Sequence, residues 1–208
     1  FLLYVMNGDG SEKRLLTRRA GVPAWSPDGR KIAFDGTTRD GKSEIYVINA
    51  DGSGKRRLTR TAGQEIGLAW SPDGRKIAFS RGPYLHQQVY VMNADGSGQR
   101  QLTHLPAHNI ASPLAWLPDG KLTFVSFHRP HDCDVYLINA DGSGFTLVPN
   151  EDGAFNASWS PDGSRIAYQS MNPWGDVHVR NVDGSNLVAV TANAAQEGEP
   201  KWSPDGRR

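Results

Sequence analysis

The sequence predicts an all-β chain, a β-propeller of about five four-stranded antiparallel blades. Three observations predict it. Trp-Ser-Pro-Asp-Gly begins at Trp25, Trp70, Trp159 and Trp202, with Trp-Leu-Pro-Asp-Gly at Trp116, at intervals of 45, 46, 43 and 43 residues. A second motif keeps the same phase: Asn-Gly-Asp-Gly-Ser at Asn7, Asn-Ala-Asp-Gly-Ser at Asn49, Asn93 and Asn139, and Asn-Val-Asp-Gly-Ser at Asn181. Helical periodicity competes with this pattern nowhere.

Each repeat reads as four short strands. The first ends at the Trp, where Pro presets φ and Gly accepts a positive φ, so that Ser-Pro-Asp-Gly reverses the chain. The second follows at once as Lys31-Ile32-Ala33-Phe34, Lys76-Ile77-Ala78-Phe79, Lys121-Leu122-Thr123-Phe124 and Arg165-Ile166-Ala167-Tyr168. A variable connection leads to the third, Ile45-Tyr46-Val47-Ile48 and its equivalents at Val89, Val135 and Val177. The Asp-Gly hairpin delivers the fourth, such as Arg57-Leu58-Thr59. Apolar runs of three or four residues, in place of strict alternation, imply sheets covered on both faces.

The chain opens in mid-pattern on a third strand, Leu2-Leu3-Tyr4-Val5-Met6, and ends just after a first strand, Pro200-Lys201-Trp202. This reads as a trimmed or processed start. The expected blades cover residues 19–62, 63–107, 108–149 and 150–192, with a composite closing blade built from 193–208 and 1–18, all within one domain spanning 1–208. The composite lacks a Lys-Ile-Ala-Phe strand. A fragment of a six-bladed propeller is the alternative.

Bulk properties exclude several classes. Hydrophobic residues at 38% and charged residues at 22% suit a globular chain and argue against disorder. A formal charge of +1 provides no field for nucleic acid or an anionic membrane. The one cysteine, Cys133, excludes an internal disulfide and a multi-cysteine zinc site. No apolar run approaches the ~18 residues of a membrane span, so insertion is not expected. The turn motifs mimic the start of an EF-hand loop, but the residues at its twelfth position are Arg18, Arg60, His104, Asn150 and Ala192, none of them the required Glu.

Trp-Ser-Pro-Asp-Gly-Arg-Lys-Ile-Ala-Phe, followed by Tyr-Val-Met-Asn-Ala-Asp-Gly-Ser-Gly and then Leu-Thr, resembles the WD-like repeat of TolB-type propellers, along essentially the whole chain. Similar repeats build the propellers of prolyl-oligopeptidase-like peptidases. The resemblance implies a bacterial, periplasmic or secreted, non-catalytic scaffold that binds a protein or peptide at the channel mouth. The motif residues themselves shape turns and blade contacts, and carry less about function.

Candidate site residues come from the connections that differ between repeats, because variation on a fixed scaffold is where specificity is built. The blade-to-blade connections carry Glu65, His108, Asn156, Glu197 and Glu199, with Glu65 and Glu197 both five residues before a Trp. Read as a polar rim, they would receive a cation or the basic and amide groups of a peptide, although carboxylates in such loops are ordinarily just solvated. The connections between second and third strands add Tyr84, His128, Arg129, His131 and Trp174. Tyr84 and Trp174 offer aromatic faces to a sugar or peptide, or pack at blade edges. His128 and His131 are metal-ligand types, but their spacing matches no zinc motif and Pro130 restrains their convergence. No cofactor, resident metal or catalytic residue is assigned. The sequence contains no Gly-x-Ser-x-Gly elbow, Walker loop or His-Glu-x-x-His, and Cys133 beside two histidines makes no dyad by proximity alone. The reading is a monomeric binding scaffold. The alternatives are a metal-assisted lyase or hydrolase and the accessory propeller of a peptidase.

Overall fold

A computed structural model of the chain describes residues 1–83, 86–105, 109–129, 132–148, 153–170, 175–192 and 198–208, with the backbone alone at 109–113, 128, 129, 132 and 155. The described residues form strands and turns and no helix. They fall into two compact units, Phe1–His104 and Leu105–Arg208.

In the first unit β1 (Leu2–Val5) and β2 (Arg14–Arg18) make a two-stranded sheet. A four-stranded sheet follows in chain order, β3 (Ala20–Trp25), β4 (Lys31–Thr37), β5 (Ser43–Asn49) and β6 (Arg56–Arg57). A second has β7 (Gln64–Trp70), β8 (Lys76–Gly82), β9 (Gln88–Asn93) and β10 (Arg100–Gln101). The second unit repeats the pattern twice. One of its sheets holds β11 (Asn109–Trp116), β12 (Lys121–Arg129), β13 (Asp132–Asn139) and β14 (Thr146–Val148), the other β15 (Ala154–Trp159), β16 (Arg165–Ser170), β17 (Val177–Asn181) and β18 (Val188–Ala189). All pairings are antiparallel and join sequence neighbours, as hairpin connections require.

Three of the four four-stranded sheets have the same aromatic pair across their second and third strands. Phe34 faces Tyr46, Phe79 faces Tyr90 and Phe124 faces Tyr136, stacked with centroids 5.6, 5.7 and 5.5 Å apart. The fourth sheet substitutes Tyr168 and His178, which meet edge to face. Such cross-strand pairs stabilise a sheet by roughly 0.2–1 kcal/mol each. Apolar burial adds the larger share. Ala33, Ile45 and Val47 of one sheet meet Leu68, Trp70, Ile77 and Met92 of the next, and Val125, Cys133 and Val135 meet Ala157, Ile166 and Tyr168 in the second unit.

The two turn motifs close on themselves. In the first, Ser26 Oγ donates to Asp28 Oδ1 at 2.6 Å and accepts from the Lys31 amide at 2.9 Å, while the Arg30 amide donates to Asp28. Ser71, Ser160 and Ser203 repeat this. In the Leu variant the hydroxyl is gone, and a 2.6 Å ion pair from Lys121 to Asp119 ties that turn instead. In the second motif Ser53 donates through its amide and hydroxyl to Asp51, and Asn49 Nδ2 bonds the Ser53 hydroxyl.

Three expectations change. Pro200–Trp202 is not a strand, because a strand needs a ladder partner and the sequence as far as Arg208 has no Lys-Ile-Ala-Phe segment left to pair with it. The fourth strands are shorter than read: β6 ends at Arg57, before Leu58 and Thr59. His128 and Arg129 do not sit in a loop. The β12–β13 ladder continues through Phe127↔Cys133 and Arg129↔Asp132, leaving only residues 130 and 131 between the strands.

Candidate functional site

Glu65 is corrected most sharply. Expected on a solvated rim, it lies in β7 with no exposed surface, and Glu44 at the start of β5 is equally buried. The second residue of β7 faces the neighbouring sheet once strands β3–β6 and β7–β10 stack, so its carboxyl points into protein. Thr59 Oγ1 lies 2.6 Å from Glu44 Oε2 and 2.8 Å from Glu65 Oε2, and accepts the Ile45 amide at 2.9 Å. Arg57 and the Thr61 amide donate to Glu44 Oε1. Arg81 Nε donates to Glu65 Oε1 at 2.8 Å, and the Thr61 hydroxyl bonds the same oxygen. Two carboxyl groups and two guanidinium groups thus share one interior network.

The two carboxyls titrate in opposite directions. Burial pushes Glu65 up, the nearby Glu44 charge adds to this, and bonds from Thr61, Thr59 and Arg81 only partly offset it. Burial also pushes Glu44 up, but the bonds from Thr59, Arg57 and the Thr61 amide win and hold it below its ordinary range.

Asn156 and Glu199 share a backbone role that the sequence reading missed. Both have left-handed φ, 50° and 53°, three residues before a Trp, where the first unit places Gly67 with φ 60°. The β15–β16 register shifts between Phe155 and Ser158, so this position is a bulge. Asn tolerates that conformation and Glu does so with strain. Asn156 Nδ2 donates to Gln169 Oε1 at 3.3 Å, and a Cβ on Gly198 would meet that same oxygen at 2.8 Å. Unit two therefore gathers Asn156 and the backbone beside Glu199 around one glutamine. Tyr84, His108, His131, Trp174 and Glu197 lie outside the described residues, as do the side chains of His128 and Arg129.

Cys133 is fully buried within a sheet core. Among the described residues no three His, Cys, Asp or Glu side chains stand close enough together to hold a metal ion. Among the described residues there is no helix long and apolar enough to cross a membrane.

The opposite end of the sheets carries a groove of about 380 Å3 between the first two Ser-Pro-Asp-Gly turns, lined in part by Pro27, Asp28, Lys31, Trp70, Asp73 and Gly74. Trp70 forms its inner wall, oriented by a bond from its Nε1 to the Ala24 carbonyl at 3.2 Å. The turns step closely: a Cβ on Gly74, whose φ is +68°, would stand 3.7 Å from Pro27 Cδ.

A Tol-Pal system protein TolB from Alcanivorax borkumensis is 31% identical over 64 residues, covering 30% of this chain and 15% of that protein. The crystal structure of TolB from Acinetobacter baumannii superposes with a TM-score of 0.75 at 19% identity, covering 99% of this chain and 52% of that one. An oligogalacturonate lyase in complex with manganese gives 0.76 at 15% identity, over 91% of this chain and 59% of that one. The chain thus spans about half the length of those solved structures and a smaller part of the curated relative. The two structural likenesses show the fold. The model of the TolB β-propeller domain matches residues 2–114, more than half of the sequence. The chain belongs to the TolB β-propeller domain family.

Proposed function

We propose that this chain is a non-catalytic scaffold of the bacterial envelope, periplasmic or secreted, that binds a protein or peptide with the connections between second and third strands and between sheets. One observation carries the reading. At one end of every four-stranded sheet the turns are near-identical and bonded internally, whereas the connections at the other end, 38–42, 83–87, 130–131 and 171–176, differ in length and residue type. Turns that only reverse the chain have no reason to vary; connections that meet a partner do. Tyr84, His131 and Trp174 supply aromatic and imidazole groups there, with His108 on a connection between sheets and Glu197 and the strained Glu199 on the segment that follows the last one. Glu65 has no part in it, being interior. The relative named for the Tol-Pal system directs the choice of partner to Tol and Pal proteins. The metal-assisted lyase reading rests on likeness of fold and adds no residue to it.

The test is surface plasmon resonance of purified Tol and Pal proteins over the immobilised chain. Saturable binding is expected. It should weaken at least about tenfold in the triple variant Tyr84→Ala, His131→Ala, Trp174→Ala, the loss of hot-spot contacts. It should survive Asp51→Asn with Asp95→Asn at the other end. Binding lost only in the latter pair, or absent altogether, overturns the proposal.

A further inference from the structure

The repeat supplies its own reference for the groove between the first two Ser-Pro-Asp-Gly turns. The equivalent groove in the second unit lies between the turn at Ser160 and the turn at Ser203. There Arg165 fills it from within. Its guanidinium stands 4.5 Å from the centroid of the Trp202 ring and donates to the Gly206 carbonyl at 3.0 Å. Trp202 is oriented as Trp70 is, with Nε1 bonded to a backbone carbonyl, that of Ser158, at 3.1 Å. The Pro-to-Gly step recurs as well, with a Cβ on Gly206 3.4 Å from Pro161 Cδ.

Of the lining residues that have a counterpart in the second unit, one differs in kind; Ala94, which also lines the first groove, has no counterpart within this sequence. Arg165 aligns with Lys31, each six residues after its Trp. Lys31 is exposed, and its ammonium has no hydrogen-bond or ion-pair partner among the described residues. A lysine has neither the planar face that stacks on an indole nor the fork that also reaches a carbonyl. The groove beside it therefore stays open, at about 380 Å3. Its lining combines the apolar surfaces of Trp70, Pro27 and Pro72 with the carboxylates of Asp28 and Asp73, a pairing that suits a flat cation even with Lys31 at its side. Asp28 and Asp73 each commit Oδ1 to their own turn, leaving Oδ2 without a partner among the described residues.

We propose that this groove takes the guanidinium of an arginine side chain on a partner peptide, stacked on Trp70 with Asp28, Asp73 and the Gly74 carbonyl as acceptors. The arginine occupies the place that Arg165 occupies in the second unit. The site is at the other end of the sheets from the variable connections, so it stands or falls independently of the partner proposed above.

The probe is the peptide acetyl-Gly-Arg-Gly-amide, titrated into the full chain while the indole N–H resonances are followed by NMR, with Trp70→Phe assigning the Trp70 signal. The Trp70 signal is expected to shift saturably. The matched citrulline peptide, neutral and nearly isosteric, should bind at least about tenfold more weakly, the scale of a partly desolvated cation–π contact with charge-assisted bonds. Lys31→Arg should close the groove from within and abolish the response. Arg165→Lys should open the second groove, so that Trp202 now responds to the arginine peptide. Equal shifts with citrulline, no shift at Trp70, or an undiminished response in Lys31→Arg overturns the proposal.

Discussion

Thr59 has one hydroxyl proton and two carboxyl groups within reach of it. Its oxygen already accepts the Ile45 amide, so it can donate to Glu44 or to Glu65 but not to both. The arrangement closes when Glu65, the carboxyl pushed up by burial, carries a proton and donates it to Thr59, while the charged Glu44 accepts. The linkage follows from the direction of each shift. Stability from protonated Glu65 is fully present below the ordinary glutamate value of 4.5 and is lost as pH rises through the raised value in the fold. Glu65→Gln keeps the shape of the protonated acid and has no charge to gain. Its melting temperature is expected to fall less than that of the parent as pH rises from 4.5 toward neutrality, read by thermal unfolding across that range. Parallel curves would remove the proton from Glu65. Glu65 was visible in the sequence only as a loop carboxylate, because the stacking of β5 on β7 that buries it is a long-range event. A signal for its partner did exist: Thr59 belongs to the recurring Leu-Thr step, and Thr103 and Thr191 likewise accept a third-strand amide, of Val89 and Val177, at 2.9 Å.

Between elements, the repeated Trp residues are alike in sequence and unlike in packing. Trp70 is 9% exposed, wedged between two sheets, whereas Trp25 is 51% exposed because only the two-stranded β1–β2 sheet precedes its own. Trp70→Ala is expected to cost about 3–5 kcal/mol, as removal of a buried aromatic does, and Trp25→Ala well under half of that. Denaturant melts of the two variants measure it, and equal losses would mean that Trp25 finds a cover. The strands themselves were legible because local chemistry sets them: a Pro-Asp-Gly turn, a short apolar run and an Asp-Gly hairpin leave few alternatives. The bulge three residues before the Trp was not legible. Its occupants, Gly67 and Asn156, share a φ and no chemistry, and Glu199 keeps that φ without a ladder around it.

For the molecule as a whole, the turns act in concert as an acid-sensitive set. Asp28, Asp51, Asp73, Asp95, Asp162, Asp183 and Asp205 are all held below the ordinary aspartate value of 3.8, first by a serine hydroxyl and then by a backbone amide. Asp162, which accepts from Ser160 and Ser164, reaches about 2. A depressed value in the fold means stability that is present above 3.8 and lost as pH falls toward about 2. The melting temperature should therefore drop across that interval, and Ser160→Ala should flatten part of the drop; a profile level from pH 3.8 to 2 would show the turns contribute nothing to acid stability. The bonds that hold each of these aspartates come from its own turn, although Arg14 and Arg165 also reach from the preceding repeat to backbone carbonyls of the turns at Asp51 and Asp205; the indole of the following repeat asks only for a backbone carbonyl, whether of Ala24 or of Ser158. Adjacent repeats are thus nearly interchangeable parts: a duplication or excision of one whole repeat in the gene leaves the serine and amide bonds to every remaining turn aspartate in place and disturbs only arginine contacts at the new junction, so the length of such an array is free to drift over evolutionary time.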